Sequence, residues 1–198
     1  MKTNYVLIDY ENVQPAAMAV LDEEHFKVIV FVGANQTKVS FEVASALQRM
    51  GDRAEYIRIT GNGSNALDFH ISYYLGQLAS QEPDAYFHIV SKDTGFDPLV
   101  QHLKSKKILA CRSKDVTEIP IVKAAHSKTP SERLDVVIAD LQRRGAAKPR
   151  TVKTLGSTIN SIFQKQLSEQ ELTELMVSLE KKGVVVTAGT KVSYALPT

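Results

Sequence analysis

The sequence predicts an α/β chain, a mostly parallel five-stranded sheet flanked by helices, followed by a small α+β module. Three observations lead there. Five short apolar runs rich in strand formers recur between residues 5 and 111 with helical stretches between most of them, and that alternation favours parallel strands joined by right-handed crossovers. Polar clusters stand directly after several of those runs, at the strand ends where open α/β sheets bind ligands. The charge also changes sign: residues 1–126 carry 13 Lys+Arg against 15 Asp+Glu, net −2, whereas residues 127–198 carry 11 against 7, net +4. A basic appendage on a mildly acidic body fits a nucleic-acid-binding module, and a basic solvated face fits the same count.

Taken in order, Tyr5-Val6-Leu7-Ile8 is a buried strand ending at Asp9, and Pro15 opens a short helix through Val20. Lys27–Val32 is the second strand, followed by the small-polar turn Gly33-Ala34-Asn35-Gln36-Thr37-Lys38 and a helix from about Ser40 to Met50 that ends at Gly51. Ala54–Ile59 alternates and reads as a strand nearer the edge; after the loop Thr60–Asn65, a helix from Ala66 to about Ala79 carries Leu67, Ile71, Tyr74, Leu75 and Leu78 on one face. Tyr86–Val90 is the fourth strand and Lys106–Cys111 the fifth. Residues 123–131 are small and polar with one Pro and read as a linker, which divides the chain into 1–122, the linker 123–131 and 132–198. Beyond it stand three helices: Ser131/Glu132 into Leu134–Arg144, Val152–Gln164, and one opened by the capping-box pair Ser168 and Glu171. The strands Val184–Thr187 and Val192–Ala195 then form a hairpin, and three helices with a hairpin suggest a winged-helix module.

Composition narrows the function classes. With 198 residues and 43% hydrophobic content the chain builds a packed core. The single Cys111 excludes an internal disulfide and a Cys-based zinc site. No run approaches the ~18 apolar residues of a membrane helix, and the expectation is an intracellular, cytoplasmic chain without membrane partners.

The chemistry concentrates in Ser91-Lys92-Asp93-Thr94-Gly95-Phe96-Asp97-Pro98, directly after the fourth strand. Asp97 can cap the following helix, with Pro98 at its first position. Asp93 is left at the strand end; if both carboxylates face one crevice they repel unless a cation or proton is near, a first hint of a metal. Parallel strand ends share a rim, so Asp9, Asp93 and the Gly61–Ser64 loop gather there, with Asp68 in the first turn of the third helix.

Four blocks, Leu7-Ile8-Asp9-Tyr10-Glu11-Asn12, Gly33-Ala34-Asn35-Gln36, Gly61–His70 and Ser91–Asp97, occur in order at strand ends and together resemble the PIN-like nucleases of the NYN branch over roughly residues 4–112. The resemblance implies a Rossmann-like α/β/α fold whose acidic cluster binds Mg²⁺ or Mn²⁺ and hydrolyses phosphodiester bonds, usually in RNA, with DNA the other candidate. It places Asp9, Asp68, Asp93 and Asp97 at the family's acidic, metal-binding positions and Asn12 at the Asn of the first motif. The C-terminal module is more weakly similar to winged-helix or LOTUS-type RNA-binding appendages.

Carboxylates that hold one or two hard cations can activate water and neutralise the leaving oxygen. Asp9 and Asp93 are the expected direct ligands and Asp68 joins at the crevice wall; Asp97 is a ligand, an acceptor behind the ligands or only a cap. Glu11 is a substitute for one of them if the chain turns suitably. Asn12, Ser91, Lys92, Thr94 and Lys38 are candidate substrate contacts, set against turn-forming roles for Asn12, Ser91 and Thr94 and plain solvation for the lysines. His70, two residues past Asp68, points roughly 160° away on a helix and is expected to be structural or on the surface; His88 is expected to be a core histidine. In the basic module Arg143, Arg144, Lys148, Arg150 and Lys153 form a run without acidic residues, suited to phosphates, or to the exposed turn of a protein-binding module. Two rival functions remain: a catalytically inactive RNA-binding or scaffold protein of the same fold, and a phosphohydrolase of small phosphoesters.

Overall fold

The computed structural model describes residues 2–127, 129–163, 165 and 167–196. The chain forms two units, residues 1–119 and 120–198.

In the first unit the strands are β1 (Asn4–Asp9), β2 (Phe26–Val32), β3 (Ala54–Arg58), β4 (Tyr86–Val90) and β5 (Leu109–Ser113). They form one sheet in the order β3-β2-β1-β4-β5, every pair parallel. Connecting helices are α1 (Phe41–Met50), α2 (Ala66–Gln81) and α3 (Phe96–Ser105). Strand alternation sends Tyr5, Leu7, Ile29, Phe31, Phe87 and Ile89 to one face, where Leu67, Ile71 and Leu75 of α2 and Phe96, Val100 and Leu103 of α3 close over them. Asp9 continues the Tyr5–Leu7 parity, so it leaves the sheet on the α2 side. On the other parity His88 is fully buried, its Nε2 2.9 Å from Asn4 Oδ1 and its Nδ1 3.3 Å from Cys111 Sγ. Each hydrogen-bonding atom is met, as a core histidine requires.

Three boundaries in this unit depart from expectation. The turn after Pro15 is a short 3-10 helix, Met18–Leu21, rather than an α-helix. Helix α3 starts at Phe96, with Gly95 preceding it, so Asp97 and Pro98 sit inside its first turn and Asp97 is not the cap. Strand β5 starts at Leu109 because Lys106 and Lys107 finish α3: Lys107 adopts φ 64°, and the Ile108 and Lys107 N–H groups donate to the Leu103 and Lys104 carbonyls. That is a Schellman cap with lysine at the position glycine usually fills.

The second unit contains α4 (Pro120–His126), α5 (Pro130–Arg143), α6 (Val152–Ile162), α7 (Glu169–Lys181) and the antiparallel hairpin β6 (Val185–Ala188) and β7 (Lys191–Tyr194). The expected linker is therefore corrected. Residues 123–126 are helical because Ala124 buries into the core built by Val137, Leu141, Leu155, Ile159 and Leu179. The cap of α5 is Thr129, in a full capping box with Glu132, rather than Ser131. Lys128 of the expected linker and Gln164 of the expected second helix lie outside the described residues. Ser168 and Glu171 do form the capping box that opens α7, and a bridge from Thr151 to Lys191 adds a short third strand contact to the hairpin.

Candidate functional site

Strand order reverses between β1 and β4, and crevices in open parallel sheets form at such a switch, outside the carboxyl ends of the strands. Asp9 ends β1 there, and the Ser91–Gly95 turn leaves β4 beside it. Asp9 is 3% exposed, and each carboxylate oxygen has a donor: the Asn12 N–H to Oδ1 at 3.1 Å and the Ser91 hydroxyl to Oδ2 at 2.8 Å. Ser91 Oγ in turn accepts the Asp93 N–H at 3.0 Å, and Asp93 Oδ1 accepts the Gly95 N–H at 2.7 Å. One buried hydroxyl thus ties the two expected ligands together. The expectation that Ser91 contacts substrate gives way to a positioning role, because the side chain is fully buried and engaged by both neighbours.

Burial pushes the Asp9 carboxyl above its ordinary range, with Glu11 and Asp93 adding repulsion and the Ser91 and Asn12 donors opposing. Asp68, half-buried in the first turn of α2, is raised to about 6 by burial and then by the charges of Asp9, Asp93 and Glu11. Asp68 therefore feels the charges of Asp9, Glu11 and Asp93, and Asp9 those of Glu11 and Asp93. Glu11, which the sequence left open, belongs to the group. Its place depends on Gly33 at the end of β2: a Cβ at Gly33 would lie 1.6 Å from Glu11 Oε1. The small-polar turn expected after the second strand therefore matters here through Gly33, over which Glu11 lies.

Asp97 is not in this group. Arg112 of β5 holds it, Nε to Oδ1 at 2.7 Å and Nη2 to Oδ2 at 3.0 Å, and this keeps the Asp97 carboxyl below its ordinary range. The same guanidinium donates to the Ser91 carbonyl at 3.1 Å. Arg112 is the functional-site residue that sequence reasoning missed; its only signal was a cation directly after the expected fifth strand. Asn12, Lys38, Lys92 and Thr94 are exposed on the surface. Position 12 reaches Asp9 through its backbone rather than its side chain. His70 turns its Nδ1 to the Ala66 carbonyl at 2.7 Å, back along its own helix.

Among the described residues no group of three or more His, Cys, Asp or Glu already stands where it could hold a metal ion. The donor chemistry nevertheless fits Mg²⁺ or Mn²⁺: the carboxylates are hard oxygen donors, and their mutual repulsion is what a divalent cation relieves.

In the second unit an acidic residue just before the basic run pairs with its first two arginines. Asp140, 6% exposed, pairs with both Arg143 and Arg144, the latter at 2.5 Å. Helical spacing of three and four residues, invisible in a count taken from residue 143 onward, brings them together. Lys148 lies over the Tyr194 ring at 5.9 Å, whereas Arg150 and Lys153 are exposed.

No curated protein matches the sequence. A family model, PIN7, described as a PIN domain, matches residues 3–113, a span running from the start of β1 to the end of β5 and covering more than half of the 198 residues. The carboxylates thus converge inside the matched region, and the chain belongs to the PIN domain family, whose members are generally nucleases.

Proposed function

We propose that the first unit is a metal-dependent ribonuclease of the NYN branch, and that the second is a winged-helix or LOTUS-like module that aids RNA or partner binding. The observation that carries this is the convergence of Asp9, Glu11, Asp68 and Asp93, drawn from three separate segments, into one electrostatic group at the switch point. Asp9, Asp93 and Glu11, with Asp68 at the crevice wall, would hold Mg²⁺ or Mn²⁺. A bound divalent cation supplies Lewis-acid stabilisation of phosphate charge and a more acidic water.

The chain's own residues do the rest. Ser91 fixes Asp9 relative to Asp93. Arg112 ties Asp97 to the Ser91 carbonyl, which makes Asp97 a positioning residue for the turn. Lys92 and Lys38, exposed at the same rim, neutralise the substrate backbone, and Asn12 and Thr94 offer neutral hydrogen bonds to phosphate. Arg150 and Lys153 supply the phosphate contacts of the second unit.

The test is cleavage of a mixed single-stranded and hairpin RNA by the purified chain with Mg²⁺, Mn²⁺ or EDTA, beside Asp93→Asn and Asp9→Asn. Metal-dependent cleavage lost in both variants is the expected result. RNA binding without cleavage under either metal would overturn the nuclease and leave the scaffold reading.

A further inference from the structure

On the α2 side of β3 lies a groove of about 420 Å³ lined by Ile57, Arg58, Thr60, Phe69, His70, Tyr73 and Tyr74. Its size is that of a small-ligand site. Phe69 is 70% and Tyr73 65% exposed, although large aromatic side chains are ordinarily drawn into cores or interfaces. The two stand four residues apart on α2, hence on one face of the helix and one turn from each other. Tyr73 and Tyr74 meet edge to face at 5.3 Å, and Tyr74 meets buried Phe31 at 5.5 Å, so the exposed rings are backed by the core rather than hanging loose.

The groove is polar where a base would need it. Arg58 donates Nε and Nη2 to the Ala34 carbonyl, which fixes its guanidinium plane at the groove wall. The Ala66 carbonyl can only accept, so His70 keeps a proton on Nδ1 and presents Nε2 as an acceptor when neutral. Location settles the occupant. Arg58 and Thr60 are at the carboxyl end of β3, and all five strands run parallel, so the groove opens on the rim that carries Asp9 and Asp93. β3 lies two strands from β1, a separation of about 10 Å, and Asp68 directly precedes Phe69 on α2.

We propose that this groove is a stacking platform for unpaired bases of a single-stranded nucleic acid, with Phe69 and Tyr73 as the stacking rings and Arg58 against the backbone, holding the strand next to the carboxylates. Aromatic rings flanked by a cation, in line with a phosphodiester site, are what sequence-tolerant single-strand binding uses. The platform rests on the nuclease reading for its purpose but not for its existence. It would make unpaired nucleic acid the substrate, since bases stacked within a duplex cannot reach the rings.

The test is binding of a short mixed-sequence single-stranded RNA, a single-stranded DNA of the same sequence, the same RNA stretch made abasic, and the RNA duplex, all to the full chain in EDTA so that cleavage plays no part. Phe69→Ala with Tyr73→Ala is expected to weaken single-strand binding about tenfold for each ring and to leave the duplex and abasic probes unchanged. Rescue by Phe69→Tyr is expected. The chain has no Trp, so Tyr73→Trp gives a single reporter whose fluorescence a stacked base quenches. Unchanged affinity in the double variant, or an equal loss on the abasic probe, overturns the platform and leaves the face to a protein partner. Equal weakening on single-stranded RNA and DNA supports it as a base-stacking surface blind to the 2′-hydroxyl. Absence of cleavage by the parent chain with Mg²⁺ or Mn²⁺, with the ring effect intact, would remove the nuclease reading and keep the platform.

Discussion

Asp68→Asn is expected to make the metal-free protein more stable. The carboxyl of Asp68 is raised from its ordinary 3.8 to about 6, first by burial and then by Asp9, Asp93 and Glu11. Between those values the folded chain keeps a proton that the unfolded chain has already lost. Stability therefore falls as pH rises through that window and stays low above it, because the charged form is penalised only in the folded state. Roughly two pKa units correspond to a ceiling of about 3 kcal/mol. Asp68 is only half-buried, and solvent screening reduces this to on the order of 1 kcal/mol. Asparagine keeps the shape and discards the charge, so the melting temperature in EDTA at neutral pH is expected to rise by about 3–5 °C.

The assay is thermal unfolding from pH 4 to 8, in EDTA and with saturating Mg²⁺ or Mn²⁺. The parent chain is expected to lose stability between pH 4 and 6 in EDTA and to regain it with divalent cation at neutral pH. The variant is expected to show a flatter pH profile and a smaller gain from cation. A variant that is less stable than the parent in EDTA at pH 7, or that keeps the full slope between pH 4 and 6, would refute the electrostatic account.

Gly33→Ala places a Cβ where Glu11 Oε1 now lies, at 1.6 Å, so the flexible carboxylate end swings out at little cost in stability; melting in EDTA is expected to be nearly unchanged while the divalent-induced gain drops as it does in Glu11→Gln, and divergence of the two variants would sink the link. Arg143→Ala with Arg144→Ala leaves buried Asp140 without its partners, and urea unfolding is expected to report a loss of about 2–4 kcal/mol from the second unit, whereas Arg150→Ala with Lys153→Ala should leave stability alone and lower the salt slope of RNA binding. Asp9→Asn presents an amide that cannot accept from both Asn12 and Ser91, so it is expected to cost about 1–2 kcal/mol in the same unfolding assay, the opposite sign to Asp68→Asn.

The parts of the fold that were legible are those dictated by local pattern. Apolar runs with polar ends located all five strands of the sheet, and Ser168 with Glu171 announced α7 by a pairing contained in four residues. Boundaries failed where an unusual residue did an ordinary job. Lys107 fills the left-handed position that glycine signals, so the end of α3 was read as the start of β5. The Asp97 error has a different origin. Its partner Arg112 lies 15 residues away on a neighbouring strand, and nothing in the local sequence distinguishes a carboxylate that caps a helix from one that faces an arginine across a strand. Glu11 became a site residue only once the chain turned it over Gly33, a contact between the ends of two parallel strands that periodicity does not encode.

The two aspartates at the heart of the site divide what folding needs from what function needs. Asp9 is the more deeply buried, yet both of its oxygens are met by donors from the chain, so the fold itself holds it. Asp68 is less buried and more strongly shifted, by burial first and then by three negative charges, without the opposing donors that Asp9 has. Residues kept in place against the stability of the fold are the ones that act on something outside it. On that argument the opposite signs expected for Asp9→Asn and Asp68→Asn separate the carboxylate that builds the crevice from the one that awaits a positive charge within it. Loss of cleavage in Asp68→Asn, in a protein more stable than its parent, would then report chemistry and not folding.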